Sequence, residues 1–362
     1  MKANKLLIMF LIIICLFSCD TAYRITTRIN PDGSASREIY AKADNEYMTG
    51  NSTKSPYLFS FDPEEWKITK FDTIIHYNFM GTKEEFNMMI AKETTSIDLL
   101  SNALEPISFK ENLAKPKEQL QKHFKWFYTY YTYTCTYREI EEKGPVPLSN
   151  YITPEEQQLL FRGDFSAYNF MNGIELSEML ENIKERFSEW FLKSQYEISY
   201  EIILSYYHSM EQEDYANLLN NAKETLYTIS RKKDMDFYNP ALVSKLCDEY
   251  YKGNHFTDFY LKHAAKLDEE YDARTHSVEL FGYSINYELE MPGSVISTNA
   301  SIQDNHLLKW KIDGFRILTD DYQLEASSRI INMWAIAITA LIILIAIASF
   351  FFKLKKPVNK SL

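Results

Sequence analysis

The hydrophobic pattern changes period along the chain, from two residues to nearly four and back to two. Tyr23, Ile25, Thr27 and Ile29 alternate with Arg24, Thr26 and Arg28, the repeat of a half-buried strand. Asn30-Pro31-Asp32-Gly33-Ser34 reads as a turn, with Pro fixing φ and Gly admitting positive φ. Ser36 to Ala43 then returns as the second strand of a hairpin. After a polar loop from Asn45 to Ser55, Trp66–Phe71 and Thr73–Met80 are strand segments. Lys83 to Lys92 reads as a short helix, with Phe86, Met89 and Ile90 on one side and Thr82 as its cap. Phe124 to Tyr137 is aromatic and β-branched with no Gly or Pro, which predicts one long strand. Aromatics on both of its faces predict a central strand covered on both sides.

The period then lengthens. Thr153-Pro154-Glu155-Glu156 carries a capping residue, Pro at the first helical position and Glu at the third. Leu176, Met179, Leu180, Ile183, Phe187, Trp190 and Phe191 recur at helical spacing, as do Leu218, Leu219, Ala222, Leu226 and Ile229. Asn239-Pro240 opens another helix, and Thr257 is the expected cap of the next. Residues 150–273 are therefore expected to be all-helical, with no period that would make them solenoid repeats. Strands resume over Ser277–Met291, Leu307–Ile312 and Tyr322–Ser327.

Both ends are apolar. Lys2 and Lys5 precede a twelve-residue apolar run, Leu6 to Phe17, too short to span about 30 Å of hydrocarbon as a helix. The run closes on Leu16-Phe17-Ser18-Cys19, which resembles the bacterial lipobox. That resemblance implies a signal peptide over 1–18, a diacylated Cys19 as the mature N-terminus and, with Asp20 next to it, retention at the inner membrane. Ile330 to Phe352 is a second uncharged stretch, long enough to span a bilayer. Trp334 stands near its start, and Lys353, Lys355, Lys356 and Lys360 follow it. The positive-inside rule places the 353–362 tail in the cytoplasm and the body outside it. The expected division is thus a signal peptide (1–18), a β-rich domain in two parts (19–149 and 274–329), a helical insertion (150–273), a transmembrane helix (330–352) and a basic tail. The fold class is α+β, with an antiparallel β-rich, membrane-proximal domain.

Charge narrows the partners. The chain of 362 residues has 39 basic and 50 acidic side chains. Setting aside the six lysines of the two ends leaves 33 basic against 50 acidic, a net of −17. Nucleic acid, which needs a basic footprint, is excluded as a partner. No nucleotide, zinc or hydrolase motif occurs, so no cofactor or catalytic residue is assigned. His255 and His263, with Asp258 and Glu249 nearby, are the nearest approach to a metal-ligand set; ordinary partly exposed histidines account for them as well. The acidic doublets, such as Glu84/Glu85 and Glu155/Glu156, are adjacent in sequence, so their side chains do not face each other. Beyond the signal peptide and Cys19, only Cys135 and Cys247 remain. They either pair in an oxidising compartment or stay as two buried thiols.

Two blocks carry a family resemblance. Ile29-Asn30-Pro31-Asp32-Gly33-Ser34 lies near Cys19. Tyr287-Glu288-Leu289-Glu290-Met291-Pro292-Gly293, Ser297-Thr298-Asn299-Ala300 and Leu308-Lys309-Trp310 lie before the final anchor. This layout resembles the LppM-like domain of bacterial lipoproteins, over about 20–140 and 275–352, with the helical stretch as a departure from the pattern. The composition, rich in Tyr, Lys and Asn, suits a Bacteroidetes-like source. The resemblance implies an envelope-attached β-rich domain without assigned chemistry. The expected function is a membrane-anchored envelope lipoprotein of the bacterial cytoplasmic membrane. Its periplasmic domain is then a non-enzymatic binding or scaffold module, the helical insertion meeting another envelope protein. The alternative is a hydrolase or binding protein for an envelope glycan or lipid.

Overall fold

The computed structural model describes residues 21–354 except 79, 80, 109, 142, 143 and 305. The expected signal peptide, Cys19 and residues 355–362 of the basic tail lie outside the described residues. The chain divides into two units: Ala22–Tyr137 with Ser284–Ile312 and Tyr322 onward, and Arg138–Tyr283 with Asp313–Asp321.

The first unit is built of strands. β1 (Thr21–Ile29) and β2 (Ala35–Ala41) form the predicted hairpin, pairing Ile29 with Ala35 and Ile25 with Ile39. A two-residue β3 (Phe59–Ser60) precedes β4 (Lys67–Tyr77) and β5 (Lys83–Thr94), and pairs with an equally short β6 (Glu105–Pro106). Residues 83–92 are therefore strand, not the expected helix. Phe86, Met88 and Ile90 are all buried, a two-residue repeat, and β5 is held between β2 and β4. Met89, placed on the apolar side by a helical reading, is only half-buried. The segments on either side of Asp72 join in β4, with a register irregularity between Lys70 and Ile74. β7 (Lys117–Lys125) and β8 (Tyr128–Tyr137) are two strands where one was expected, reversing at Trp126-Phe127.

The late strands complete both sheets. β9 (Tyr283–Glu290), β11 (Ile302–Asp304) and β12 (Leu307–Asp313) extend the first into seven strands, ordered β11-β12-β9-β1-β2-β5-β4. β10 (Ser294–Thr298) and β13 (Tyr322–Ile331) join the second, ordered β10-β13-β8-β7. The first half of the expected strand 277–291 is instead a 3-10 turn, His276–Gly282. Pro292-Gly293 makes the tight link between β9 and β10. Gly293 has φ +76°, and a Cβ there would collide with the Arg329 carbonyl, so glycine is obligatory. Asn299 ties the sheets together: it accepts from the Trp310 indole (3.0 Å) and the Glu325 amide (2.8 Å), and donates to the Gln323 carbonyl (2.7 Å).

A buried polar network lies between the sheets. The Arg37 guanidinium donates to Thr27 (2.9 Å), to Glu118 (2.6 Å) and to the Tyr287 hydroxyl (3.2 Å). Tyr133 and Ser101 also donate to Glu118, and the Tyr133 and Tyr287 hydroxyls are 2.7 Å apart. Burial opposes the charge on Glu118, but Arg37 and the donors around it outweigh burial and hold its carboxyl below the ordinary value of 4.5.

The second unit is helical. After a capping box at Thr153 and Glu156 come four long helices: Gly173–Ser209, Glu213–Lys232, Pro240–Tyr251 and His255–Thr275. Asn239 caps the third as expected, but the fourth starts two residues before Thr257, after Asn254. Their shared core holds Tyr196, Tyr200, Ile203, Tyr207, Leu219 and Leu226, among others.

The Glu118 pair generates a pH prediction. Its folded pKa lies below the unfolded value, so its contribution is complete above about pH 4.5 and is lost as pH falls through the folded pKa. Glu118→Gln leaves Arg37 charged and buried, which costs about 3–5 kcal/mol at neutral pH. Urea unfolding across pH 2–7 is expected to show that loss, and a shallower acid limb in the variant than in the parent.

Candidate membrane interface

The Ser101 hydroxyl that meets the Glu118 carboxylate belongs to the buried network around Arg37. Among the described residues no group of three or more His, Cys, Asp or Glu side chains could hold a metal ion. His255 stacks on Tyr215 (3.5 Å between centroids) and His263 packs against Tyr206 and Phe259. Glu249 pairs with Lys233. The acidic residues that are buried serve the fold. Glu288 accepts from Arg24 (2.7 Å) and Thr26 (3.1 Å), and Glu84 accepts from Asn286 (2.7 Å) and Asn78 (2.9 Å). A cavity between the sheets, beside Arg37 and Tyr287, measures 20 Å³, and one beside Ser194 and Gln195 measures 40 Å³. Each has room for water and not for a sugar ring. A wider groove of 390 Å³ at the first hairpin, between Arg28 and Glu93, is open to solvent.

Cys135 and Cys247 are free thiols, both buried. Burial pushes the Cys247 thiol up to about 12 and raises Cys135 well above the ordinary range.

The feature with a direction of its own is the helix Met333–Leu354, here α1. It is long and apolar enough to cross a membrane by length and composition. It starts three residues later than the sequence suggested, because Ile330 and Ile331 pair with Thr129 and Tyr128 at the end of β13. One residue, Asn332, separates strand from helix. Its side chain accepts from Thr129 (2.9 Å) and donates to the Lys125 carbonyl (2.9 Å), and its amide donates to the Phe127 carbonyl (2.9 Å). The helix start is thereby clamped to the β7–β8 turn.

Aromatic rings extend the clamp. Trp334 stacks on Phe124 (6.0 Å, 6° between planes) and meets Trp126 edge-on (5.5 Å). The Trp126 indole donates to the Thr339 hydroxyl (2.8 Å), which in turn donates to the Ala335 carbonyl (2.7 Å). Ala335 is fully buried and Thr339 half-buried, one turn apart on the face that meets the hairpin, while every residue from Ala340 to Phe351 is exposed. Phe124, Trp126 and Phe127 also stay largely exposed on their outer side. The sequence singled out Trp334 at the start of the apolar stretch, but not Trp126 and Phe127 as its partners, since it read Phe124–Tyr137 as one strand.

No protein-family model matches the chain, and no curated protein matches it. Among solved structures, the folded domain of the LppM protein from Mycobacterium tuberculosis, determined by NMR, is similar over 86% of this chain and 90% of that one. The identity is 9% and the TM-score 0.25, a likeness too slight to carry an argument about fold or function. The blocks behind the sequence resemblance have structural roles: the turn at Asn30–Ser34, the link at Pro292-Gly293 and the Asn299–Trp310 tie.

The buried thiols set a measurable expectation. A water-soluble maleimide is expected to leave Cys135 and Cys247 unlabelled in the folded protein and to label both after denaturation without reductant. Peptide mapping by mass spectrometry checks this; a linked pair would stay unlabelled in both conditions.

Proposed function

We propose that the chain is a membrane-anchored envelope lipoprotein whose body faces the periplasm as a non-enzymatic binding or scaffold module. One observation carries the reading: the second sheet passes into the apolar helix through a single clamped residue, Asn332. A soluble protein would expose that helix at great cost, about 25 cal/mol for each Å² of apolar surface left in water. In a bilayer the same surface is solvated by lipid. The lipobox at Leu16–Cys19 supplies a second anchor, and Lys353, Lys355, Lys356 and Lys360 favour a cytoplasmic C-terminus at the inner membrane. The LppM-like motifs agree with an envelope lipoprotein. The excess of acidic residues in the body disfavours nucleic acid and does not by itself draw the protein to anionic lipid. The two small cavities, of 20 and 40 Å³, would not admit a glycan, and the 390 Å³ groove at the first hairpin is open to solvent. A partner is expected among other envelope proteins, at the helical unit.

Fractionation tests the two anchors. Cys19→Ala alone, or a chain ending at Asn332 alone, is expected to stay with the membrane, because either anchor suffices. The two changes together are expected to release a soluble periplasmic body. Retention of the doubly changed protein after a high-salt wash would overturn the two-anchor reading.

A further inference from the structure

The β7–β8 turn runs alongside α1 instead of stopping at its first residue. Thr339 lies six residues beyond Met333, about 9 Å along the helix axis at 1.5 Å per residue. The Trp126 indole is bonded there. The helix has no length to spare: its 22 residues cover about 33 Å, against about 30 Å of hydrocarbon. If α1 spans the bilayer, its first turns must lie at the membrane boundary, and the hairpin tip bonded to its second turn must lie there too.

From this geometry we infer that the β7–β8 tip is a second membrane-inserted element, seated in the bilayer interface beside α1 with Phe124, Trp126 and Phe127 facing lipid. The inference rests on the reading of α1 as a spanning helix. The chemistry of the tip suits that depth. The Trp126 N–H is paired with Thr339 and the Thr339 hydroxyl with Ala335, so neither polar group is left bare in an apolar medium. The Asn332 amide satisfies the turn carbonyls of Lys125 and Trp126. Phe124, Trp126 and Phe127 are 56%, 46% and 42% exposed, and Phe124 and Trp126 lie against Trp334 of the helix. Aromatic side chains of this kind favour the headgroup boundary. Above the rings, Lys125 and Arg329 stand over Tyr130 and Tyr128 (4.9 and 4.7 Å to the ring centroids), and Lys122 and His123 are exposed on the same hairpin. Lys122, Lys125 and Arg329 would then gather at the level of the lipid phosphates, in a chain whose composition is otherwise acidic.

The test uses the full chain in vesicles of zwitterionic and anionic phospholipid. An environment-sensitive fluorophore is placed at Phe127→Cys, and in a separate protein at Ile342→Cys near mid-helix; Cys135 and Cys247 are buried and stay unlabelled. Quenchers are lipids spin-labelled near the headgroup or near the chain end, and aqueous iodide. For Phe127→Cys, quenching at least about twofold stronger by the shallow lipid label than by iodide is expected, with Ile342→Cys quenched by the deep label. If Ile342→Cys is quenched deeply but Phe127→Cys only by iodide, the tip is in water and the inference fails while the span stands. A Phe127→Cys probe shielded from both lipid and iodide would mean that protein covers the tip, which also overturns the inference. Iodide quenching at both positions would remove the spanning helix itself. Circular dichroism of each labelled protein confirms that it is folded.

Discussion

The Arg37–Glu118 pair is the constraint on which the strand unit depends. Two charges taken from water are stable only when every remaining donor and acceptor is matched. Here the matching groups come from the whole length of the unit: Thr27 from β1, Arg37 from β2, Ser101, Glu118 from β7, Tyr133 from β8 and Tyr287 from β9. The two sheets are thus locked in one relative position by chemistry as well as by apolar contact. The lock closes only when β9 arrives, with the whole helical segment already synthesised between β8 and β9. Sheets completed by strands so far apart in sequence have high contact order and fold slowly, with exposed edges until the end. Housing the intervening residues in a helical core of their own limits the chain that remains unstructured in the meantime.

Local signals were legible wherever the backbone itself needs a particular residue. The Asn30–Ser34 turn, the Thr153/Glu156 capping box and the Asn239-Pro240 helix start all stand as the sequence suggested. Failures arose where packing supplies what the local sequence lacks. Lys83–Lys92 carries apolar residues compatible with either period, and pairing with two strands decides for the strand. Trp126-Phe127 has no turn residue at all; Trp334 and Asn332, more than 200 positions away, hold that reversal in place. The helix Gly173–Ser209 runs far beyond the apolar stripe that announced it. From Ser194 to Tyr200 every residue is buried, so the helix is enclosed on all sides and the periodic signal vanishes.

The same distinction applies to the candidate site. The apolar helix and the tryptophan near its start could be read from composition and length. The hairpin that accompanies it could not, because only the fold brings Phe124 and Trp126 beside residues 334–339. The motif blocks singled out in the sequence are joints of the architecture, and none of them carries a reaction. Asn299 links the sheets with four polar contacts, and Gly293 sits where any side chain would strike the Arg329 carbonyl.

The single residue between β13 and the apolar helix also has a rotational meaning. A flexible tether would let the body swing and spin above the bilayer. Asn332 is held by four groups of the β7–β8 hairpin, so, if the helix spans a bilayer as proposed, the strand unit inherits the azimuth of the helix about its own axis. Each helical residue turns that axis by about 100°. On that reading, a one-residue insertion after Thr339 would leave the strand unit's height almost unchanged and point it toward different neighbours in the membrane plane. On the spanning reading of the helix, the surface that the strand unit turns to its surroundings is set by the count of residues between Asn332 and the far boundary of the bilayer.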